Sequence, residues 1–160
     1  MKNRRGLAFM LLLTVLLAAC ERNTYFHAFL PLSQQGWNRQ DTMSFLLPDS
    51  MEREGCCVEV EVRAVRSYPY VDLWLALIQY DSLRNVLHVD TLRMDMTDEN
   101  GIFTGHGLSF LEYSSGAVKL VADSAGKCSQ VSICHLMNRE RINGLTDVGV
   151  RVSSCVPSKD

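Results

Sequence analysis

The chain has 160 residues, of which 47% are hydrophobic and 21% are charged. Its 16 basic and 18 acidic residues give a formal net charge of −2, which argues against nucleic acid as a partner because nucleic-acid-binding surfaces are basic. The length suits one domain with its own hydrophobic core and is short for two.

Residues 1–20, MKNRRGLAFMLLLTVLLAAC, have the layout of a secretion signal. Three basic residues precede an apolar run that is shorter than the roughly 20 residues of a membrane-spanning helix. The end of this run, Leu17-Ala18-Ala19-Cys20, resembles the lipobox of bacterial lipoproteins and predicts cleavage before a lipidated Cys20. Removal of residues 1–19 leaves 13 basic and 18 acidic residues, a charge of about −5. We therefore expect a protein that is attached to a membrane by lipid on Cys20 without crossing the bilayer.

Four segments follow from these patterns. Residues 1–19 form the predicted signal peptide, and residues 20–35 form the lipidated N-terminus and a tether. Residues 36–155 are predicted to form a single β-sandwich domain, and residues 156–160 a frayed C-terminus.

Strand patterns dominate after the tether. In residues 58–64 apolar side chains alternate with charged ones, which is typical of an antiparallel strand with one solvent-exposed face. Residues 73–80 are almost wholly apolar and are interpreted as a central strand, although two helical turns would fit the same composition. Six more strands are predicted, at residues 42–47, 86–94, 107–113, 117–122, 130–136 and 148–153. Because turn sequences separate these segments at close spacing, the predicted fold is an all-β, antiparallel β-sandwich of about 7–9 strands.

Five cysteines follow Cys20: Cys56, Cys57, Cys128, Cys134 and Cys155. An exported chain can form disulfides, but an odd number leaves at least one cysteine free or paired with another chain. The spacings do not decide the pairing. They also lack the close pairs of structural zinc sites, so we expect no metal at these cysteines.

The acidic stretch of residues 90–107, DTLRMDMTDENGIFTGHG, is the strongest candidate for a metal loop. An EF-hand loop needs an oxygen ligand at position 1, a glycine at position 6 and a glutamate at position 12. With Gly101 at position 6, these outer positions fall on Met96 and Gly107, so the EF-hand pattern fails.

Two interpretations of this stretch stay open. One is a calcium site of different geometry formed by Asp95, Asp98 and Glu99. The other is a hairpin with a polar turn at Asn100-Gly101 and a returning strand through residues 102–108. In the hairpin the acidic side chains face water, and Asp98 is a candidate contact for a partner.

No motif with a catalytic mechanism is present in the sequence. GxSxG, HExxH and phosphate-binding glycine loops are missing, and His27, His88, His106 and His135 occur singly. Cys134 and His135 are neighbours, but neighbours on a strand face opposite ways, which removes them from hydrogen-bond reach. We therefore expect a protein that is not an enzyme and needs no cofactor.

The aromatic segment around Pro69 suggests a binding surface. Tyr68, Tyr70 and Trp74 lie close together in sequence, and aromatic side chains on β-sandwiches can hold sugars or peptides. The alternative is that these side chains pack in the core around a strand start shaped by proline.

Several blocks of spaced residues resemble the gliding-motility lipoprotein GldH of Bacteroidetes. The blocks are Trp37-x-x-x-Asp41-x-x-x-Phe45; Tyr68-Pro69-Tyr70 with Leu73-Trp74-Leu75; Asp90-Thr91-Leu92 with Thr97-Asp98, Gly101, Phe103, Gly105 and Gly107; and Gly144-Leu145-Thr146-Asp147-Val148-Gly149-Val150-Arg151. Together they cover the chain from about residue 37 to residue 152, and the last block is the most specific.

The resemblance implies a lipid-anchored envelope protein without catalytic residues, which binds protein partners of the gliding apparatus and the type IX secretion machinery. The five later cysteines, Ser67 and Asp72 depart from the family pattern and affect the expected partner surface. Residues 21–23 lack the acidic run of a surface-export signal, so the expected location is the periplasmic face of the outer membrane. The alternative function is a carbohydrate- or ligand-binding lipoprotein that uses Tyr68, Tyr70 and Trp74.

Overall fold

The computed structural model describes residues 24–123 and 126–155. The predicted signal peptide, the predicted lipidation site Cys20 and residues 156–160 lie outside this described part. Within it the chain forms strands and no helix. In chain order the strands are β1 (Thr24–Pro31), β2 (Trp37–Asn38), β3 (Met43–Leu46), β4 (Cys56–Ala64), β5 (Asp72–Tyr80), β6 (Val86–Asp95), β7 (Leu111–Ser114), β8 (Val118–Lys119), β9 (Ala122–Asp123), β10 (Gly126–Lys127), β11 (Gln130–His135), β12 (Arg141–Ile142) and β13 (Leu145–Ser154).

Two antiparallel sheets contain all the longer strands. Sheet 1 has the order β1-β13-β4-β7, with β8 also paired to β4, and sheet 2 has the order β3-β11-β5-β6. Two short ladders, β2 with β12 and β9 with β10, complete the pairing. Each long strand therefore pairs with partners that are distant in sequence, apart from the β5-β6 hairpin.

The inner faces of the two sheets share one hydrophobic core. Val58, Val60 and Val62 of β4 are fully buried, and the alternating Leu73 and Leu75 of β5 are buried opposite them in the same cluster. Burial of such a side chain contributes about 1.5–3 kcal/mol. The alternation in β4 thus arises because one face of the strand meets sheet 2 and the other meets water.

The predicted all-β sandwich is confirmed. Eight of the strands have four or more residues, and those predicted at 42–47, 58–64, 73–80, 86–94, 130–136 and 148–153 correspond to β3, β4, β5, β6, β11 and β13. The segment predicted at 107–113 shortens to β7, and the one at 117–122 divides into β8 and β9. The returning strand expected at residues 102–108 is reduced to two isolated bridges, Thr97 with Phe103 and His106 with Glu112. Neither bridge involves β6, so β6 remains at the edge of sheet 2.

The predicted start of the domain at residue 36 is too late. Residues assigned to the tether form β1, which pairs with β13 from Thr24 to Pro31. This strand has no clear alternating pattern, because apolar residues occupy both of its faces: Phe26 and Ala28 pack on the core, while Phe29 lies on the outside of sheet 1.

The two ends of the sandwich differ in what they carry. At one end, here called the Thr24 end, Thr24 is in register with Ser153 and then Cys57. Turns 48–55 and 81–85 lie at the same end, where Arg53 is buried and donates hydrogen bonds to the Pro48 and Cys128 carbonyl groups.

The opposite end, here called the Tyr68 end, carries loops 65–71, 96–110 and 136–144. Backbone hydrogen bonds join these loops to the strands: the Val65 amide donates to Gly144, and the Met96 amide donates to Val71. Gly144 has a φ of 91°, and a Cβ there would lie 2.9 Å from the Tyr68 Cα. The glycine therefore allows the last turn to close onto Tyr68.

Candidate functional site

Tyr68 and Tyr70 lie at the Tyr68 end, beneath its surface. Tyr68 is only 3% exposed, and its hydroxyl donates a hydrogen bond to the Asp72 carbonyl over 3.3 Å. Burial raises the pKa of this phenol above its usual value. The Tyr70 ring packs edge-on at 5.5 Å between ring centroids. The pair therefore supports the start of β5, and Tyr68 is not accessible to a ligand.

Trp74 has a different position from the two tyrosines. It lies on the outer face of sheet 2 and is 38% exposed, since its neighbours Leu73 and Leu75 take the inward positions of β5. Its indole Nε1 donates a hydrogen bond to Asp72 Oδ2 over 2.9 Å. The Arg93 guanidinium lies 5.7 Å from the centroid of the indole ring.

Asp72, Trp74, Arg93 and Asp95 form one group, here called the Trp74 cluster. In the register of β5 with β6, Trp74 is opposite Arg93 and Asp72 is opposite Asp95. Arg93 forms ion pairs with Asp72 at 3.6 Å and with Asp95 at 2.8 Å. Exposed pairs of this kind contribute at most about 1 kcal/mol, so the main effect of Arg93 is to orient the indole and the two carboxylates.

Asp98 shapes the neighbouring loop of residues 97–104. Its Oδ1 accepts hydrogen bonds from the amides of Asn100 at 2.9 Å and Ile102 at 2.8 Å. The Ile102 amide, followed by that of Asn100, holds the pKa of the Asp98 carboxyl below its usual value. Asp98 is therefore an ionised, exposed residue that fixes the turn as an Asx motif.

An open cleft of about 860 Å³ lies between this loop and the Trp74 cluster. Its lining includes Val71, Arg93, Asp95, Thr97, Asp98 and Thr104. Val71 is an exposed apolar side chain within this lining, and acidic residues outnumber the single arginine. The structure thus places the predicted residue Asp98 in the lining of one acidic cleft. Trp74 lies next to this cleft, because its indole ring is beside Arg93, which lines it.

Sequence reasoning missed Arg93 and the positions of Asp72 and Asp95. The strand predicted at 73–80 starts one residue after Asp72, whereas β5 starts at Asp72. With that one additional residue, a common face for Asp72 and Trp74 could have been inferred. The facing residues of β6 could not, because a bulge at residue 87 shifts the β5-β6 register between Gln79 and Tyr80.

A second groove, of about 650 Å³, lies on the outer face of sheet 1. Glu61 of β4 is nearly buried there; it forms an ion pair with Arg151 at 2.6 Å and a hydrogen bond with His27 Nε2 at 2.7 Å. The groove is bordered by the disulfide between Cys57 and Cys155. This pairing selects one of the arrangements that the spacings had left open, and Cys56, Cys128 and Cys134 remain as free thiols.

The candidate metal-binding residues are not grouped into a metal site in the described part of the chain. His135 is fully buried, whereas Cys134 on the same strand is half-buried, and burial raises the pKa of the Cys134 thiol. Among residues 24–123 and 126–155, no three His, Cys, Asp or Glu side chains are grouped to hold a metal ion. The proposed calcium ligands Asp95, Asp98 and Glu99 therefore do not form such a group.

The described residues contain no helix with the length and apolar character required to cross a bilayer. A comparison with curated proteins finds no match. The sequence model of the GldH lipoprotein family matches residues 24–152. This match begins at the first residue of β1, ends within β13 and contains both sheets, and the chain therefore belongs to the GldH lipoprotein family.

Proposed function

We propose that this lipoprotein is a non-enzymatic, protein-binding component of the gliding-motility and type IX secretion machinery. In this proposal lipid on Cys20 anchors it to the periplasmic face of the outer membrane. The observation that carries the proposal is the position of the Trp74 cluster and the acidic cleft. Both lie at the Tyr68 end, opposite the end at which β1 begins, and are therefore directed away from an anchor attached just before Thr24.

The chemistry of this surface suits a protein partner. Tryptophan and arginine are enriched at the centres of protein interfaces, and Trp74 and Arg93 are held together here by Asp72. Because Asp95 and Asp98 line the adjacent cleft, a partner segment that carries lysine or arginine would be favoured by charge.

Residues from the sequence blocks that resemble GldH also lie at the Tyr68 end, which supports the assignment of this end as the binding surface. Tyr68 and Gly144 are in contact at the Tyr68 end, and Thr97 and Asp98 lie in the loop beside the cleft. Tyr68 and Gly144 have a structural role, whereas Asp98 and Trp74 are exposed and are free to contact a partner.

Affinity purification tests the proposal. We would crosslink the envelope of cells that produce tagged wild-type chain, Trp74→Ala or Asp98→Lys, and identify the recovered proteins. Gliding or secretion components should be recovered with the wild type and lost with both variants. Val89→Ala is the matched control, since Val89 is an exposed apolar residue on β6 outside the cluster. If the wild type recovers none of these components, or if all variants recover them equally, the proposal fails.

Exposure of Trp74 also favours a second candidate, a glycan-binding lipoprotein. An exposed indole can stack on a sugar ring, but Tyr68 cannot join such a platform because it is buried. On a glycan array, binding that is lost in Trp74→Ala would support this candidate over the first.

A further inference from the structure

We infer that the Thr24 end of the sandwich lies directly against the lipid bilayer, and that the short connection to Cys20 fixes this orientation. The inference rests on the lipidation of Cys20 in the proposed function. Beyond the proposed function, the inference specifies which surface of the domain contacts the membrane and which surface is exposed to partners.

The chain between the anchor and the fold is short. Four residue steps separate Cys20 from Thr24, which span at most about 14 Å when fully extended. Thr24 is already in register with Ser153, and β1 stays paired with β13 as far as Pro31. The eight residues of β1 extend for about 26 Å. When the Thr24 end faces the bilayer, the Tyr68 end is therefore too far from the bilayer to contact it.

The Thr24 end also carries exposed apolar and aromatic side chains. Leu83 is 80% exposed at the tip of turn 81–85. The Asp81 carboxylate accepts hydrogen bonds from the Leu83 and Asn85 amides at 2.9 and 2.8 Å, which holds the turn in shape. Tyr25, next to the anchor, is 48% exposed, and tyrosine is favoured at the interface between lipid and water. These side chains gain contact with the headgroup region in the inferred orientation.

The outer face of sheet 1 is less suited to contact with lipid. The outer face of sheet 1 carries Glu61, Arg63, Glu112 and Arg151 in ion pairs, which would lose solvent if the domain lay on that face. At the Thr24 end, acids such as Glu52 and Asp81 are mixed with bases such as Lys127. Because positive and negative charges are mixed at this end, its contact with the bilayer should not depend on anionic lipid or salt. The contact should depend on the short connection to Cys20.

Depth-dependent quenching of an attached fluorophore tests the orientation. Full-length lipidated protein is reconstituted in neutral vesicles with the fluorophore on Leu83→Cys or on Ile102→Cys, both in a Cys134→Ser background. Ile102 is the matched position, because it is an exposed apolar residue in the loop of the Tyr68 end. Lipid-borne quenchers should quench the label at position 83 severalfold more than the label at 102, equally in anionic vesicles and in high salt. Equal quenching at both positions, or stronger quenching at 102, would overturn the inference.

A spacer separates the effect of the connection from that of the anchor. A Gly-Ser insertion of about ten residues after Asn23 adds roughly 17 Å of flexible reach and should abolish the difference between the two labels. A difference that survives the insertion would show that the short connection does not set the orientation. Fatty-acid incorporation at Cys20, measured by mass spectrometry on the same samples, reports separately on the anchor of the proposed function.

Discussion

The ring of Phe29 on β1 packs directly against the backbone of Gly149 on β13. A Cβ at position 149 would lie 2.5 Å from Phe29 Cε1, closer than real carbon atoms approach. The Arg63 guanidinium lies over the same ring, 3.9 Å from its centroid. Gly149 therefore provides the space in which the edge strand β1 attaches to sheet 1.

Gly149→Ala should lower the free energy of unfolding by about 1–3 kcal/mol, because the added methyl group overpacks the Phe29 ring. Chemical denaturation measures this loss. Gly116→Ala is the matched control and should have little effect, since a Cβ at Gly116 meets no atom within 4 Å. In a Phe29→Ala background the cost of Gly149→Ala should shrink. An unchanged cost would show that the ring is not the obstacle.

This contact illustrates how far sequence reasoning reaches. The alternation at Val58, Val60 and Val62 predicts the β4 strand and its buried face directly, because the periodicity of a half-buried strand is local. The partner of Gly149 is not local: Phe29 is 120 positions away in a segment that sequence reasoning assigned to the tether.

The candidate site was predictable to a similar extent. Trp74 and Asp98 could be selected as residue types suited to binding, but the tertiary fold decides which aromatic residues are exposed. Tyr68 enters the core because Gly144 closes over it. Trp74 stays outside because successive residues of β5 point to opposite faces of the sheet, and Trp74 is on the outer face. Arg93 joins Trp74 only through a register that no pattern within β5 encodes.

Loss of the Cys57–Cys155 disulfide should lower the free energy of unfolding by about 2–5 kcal/mol, because the bridge closes a long loop across 98 positions of sequence. The measurement compares denaturation of the oxidised wild type with that of the Cys57→Ser, Cys155→Ser double variant. Cys134→Ser is the control, since Cys134 is a free thiol. Reductant should destabilise the wild type and the control but not the double variant. Equal sensitivity of all three would contradict the assignment.

Asp90 should protect the exposed edge of sheet 2 from pairing with another chain. β6 pairs only with β5 among the described strands, and Asp90 is opposite the buried Leu77, which directs it to the inner face. Its carboxylate is 3.2 Å from His88 Nε2. An inward charge on an edge strand disfavours edge-to-edge association, so Asp90→Val should raise the associated fraction in sedimentation velocity.

Thr91→Val provides the comparison for this prediction. It adds a β-branched apolar side chain to the same strand and leaves the inward Asp90 in place. If both variants associate to the same degree, the increase arises from added strand propensity and the protective role of Asp90 is wrong.

His135 should make the fold sensitive to mild acid. The ring is fully buried under Trp37, with 5.4 Å between ring centroids, and neither ring nitrogen has a hydrogen-bond partner in the described part of the chain. Burial lowers the pKa of this imidazole; Arg39 adds to that effect, while Asp41 opposes it.

The sign of the effect follows from proton binding. In the unfolded chain the imidazole takes up a proton near its ordinary pKa of about 6.5, whereas the folded chain binds that proton only at lower pH. The contribution of His135 to the free energy of unfolding is thus complete above pH ~6.5 and is lost as the pH falls from there towards the lowered pKa. His135→Leu should flatten this acid slope in denaturation measured from pH 7.5 to 4.5. His106→Gln removes an exposed imidazole and should leave the acid slope unchanged. If His135→Leu retains the full slope, the loss of stability in acid originates from the carboxylates and not from His135.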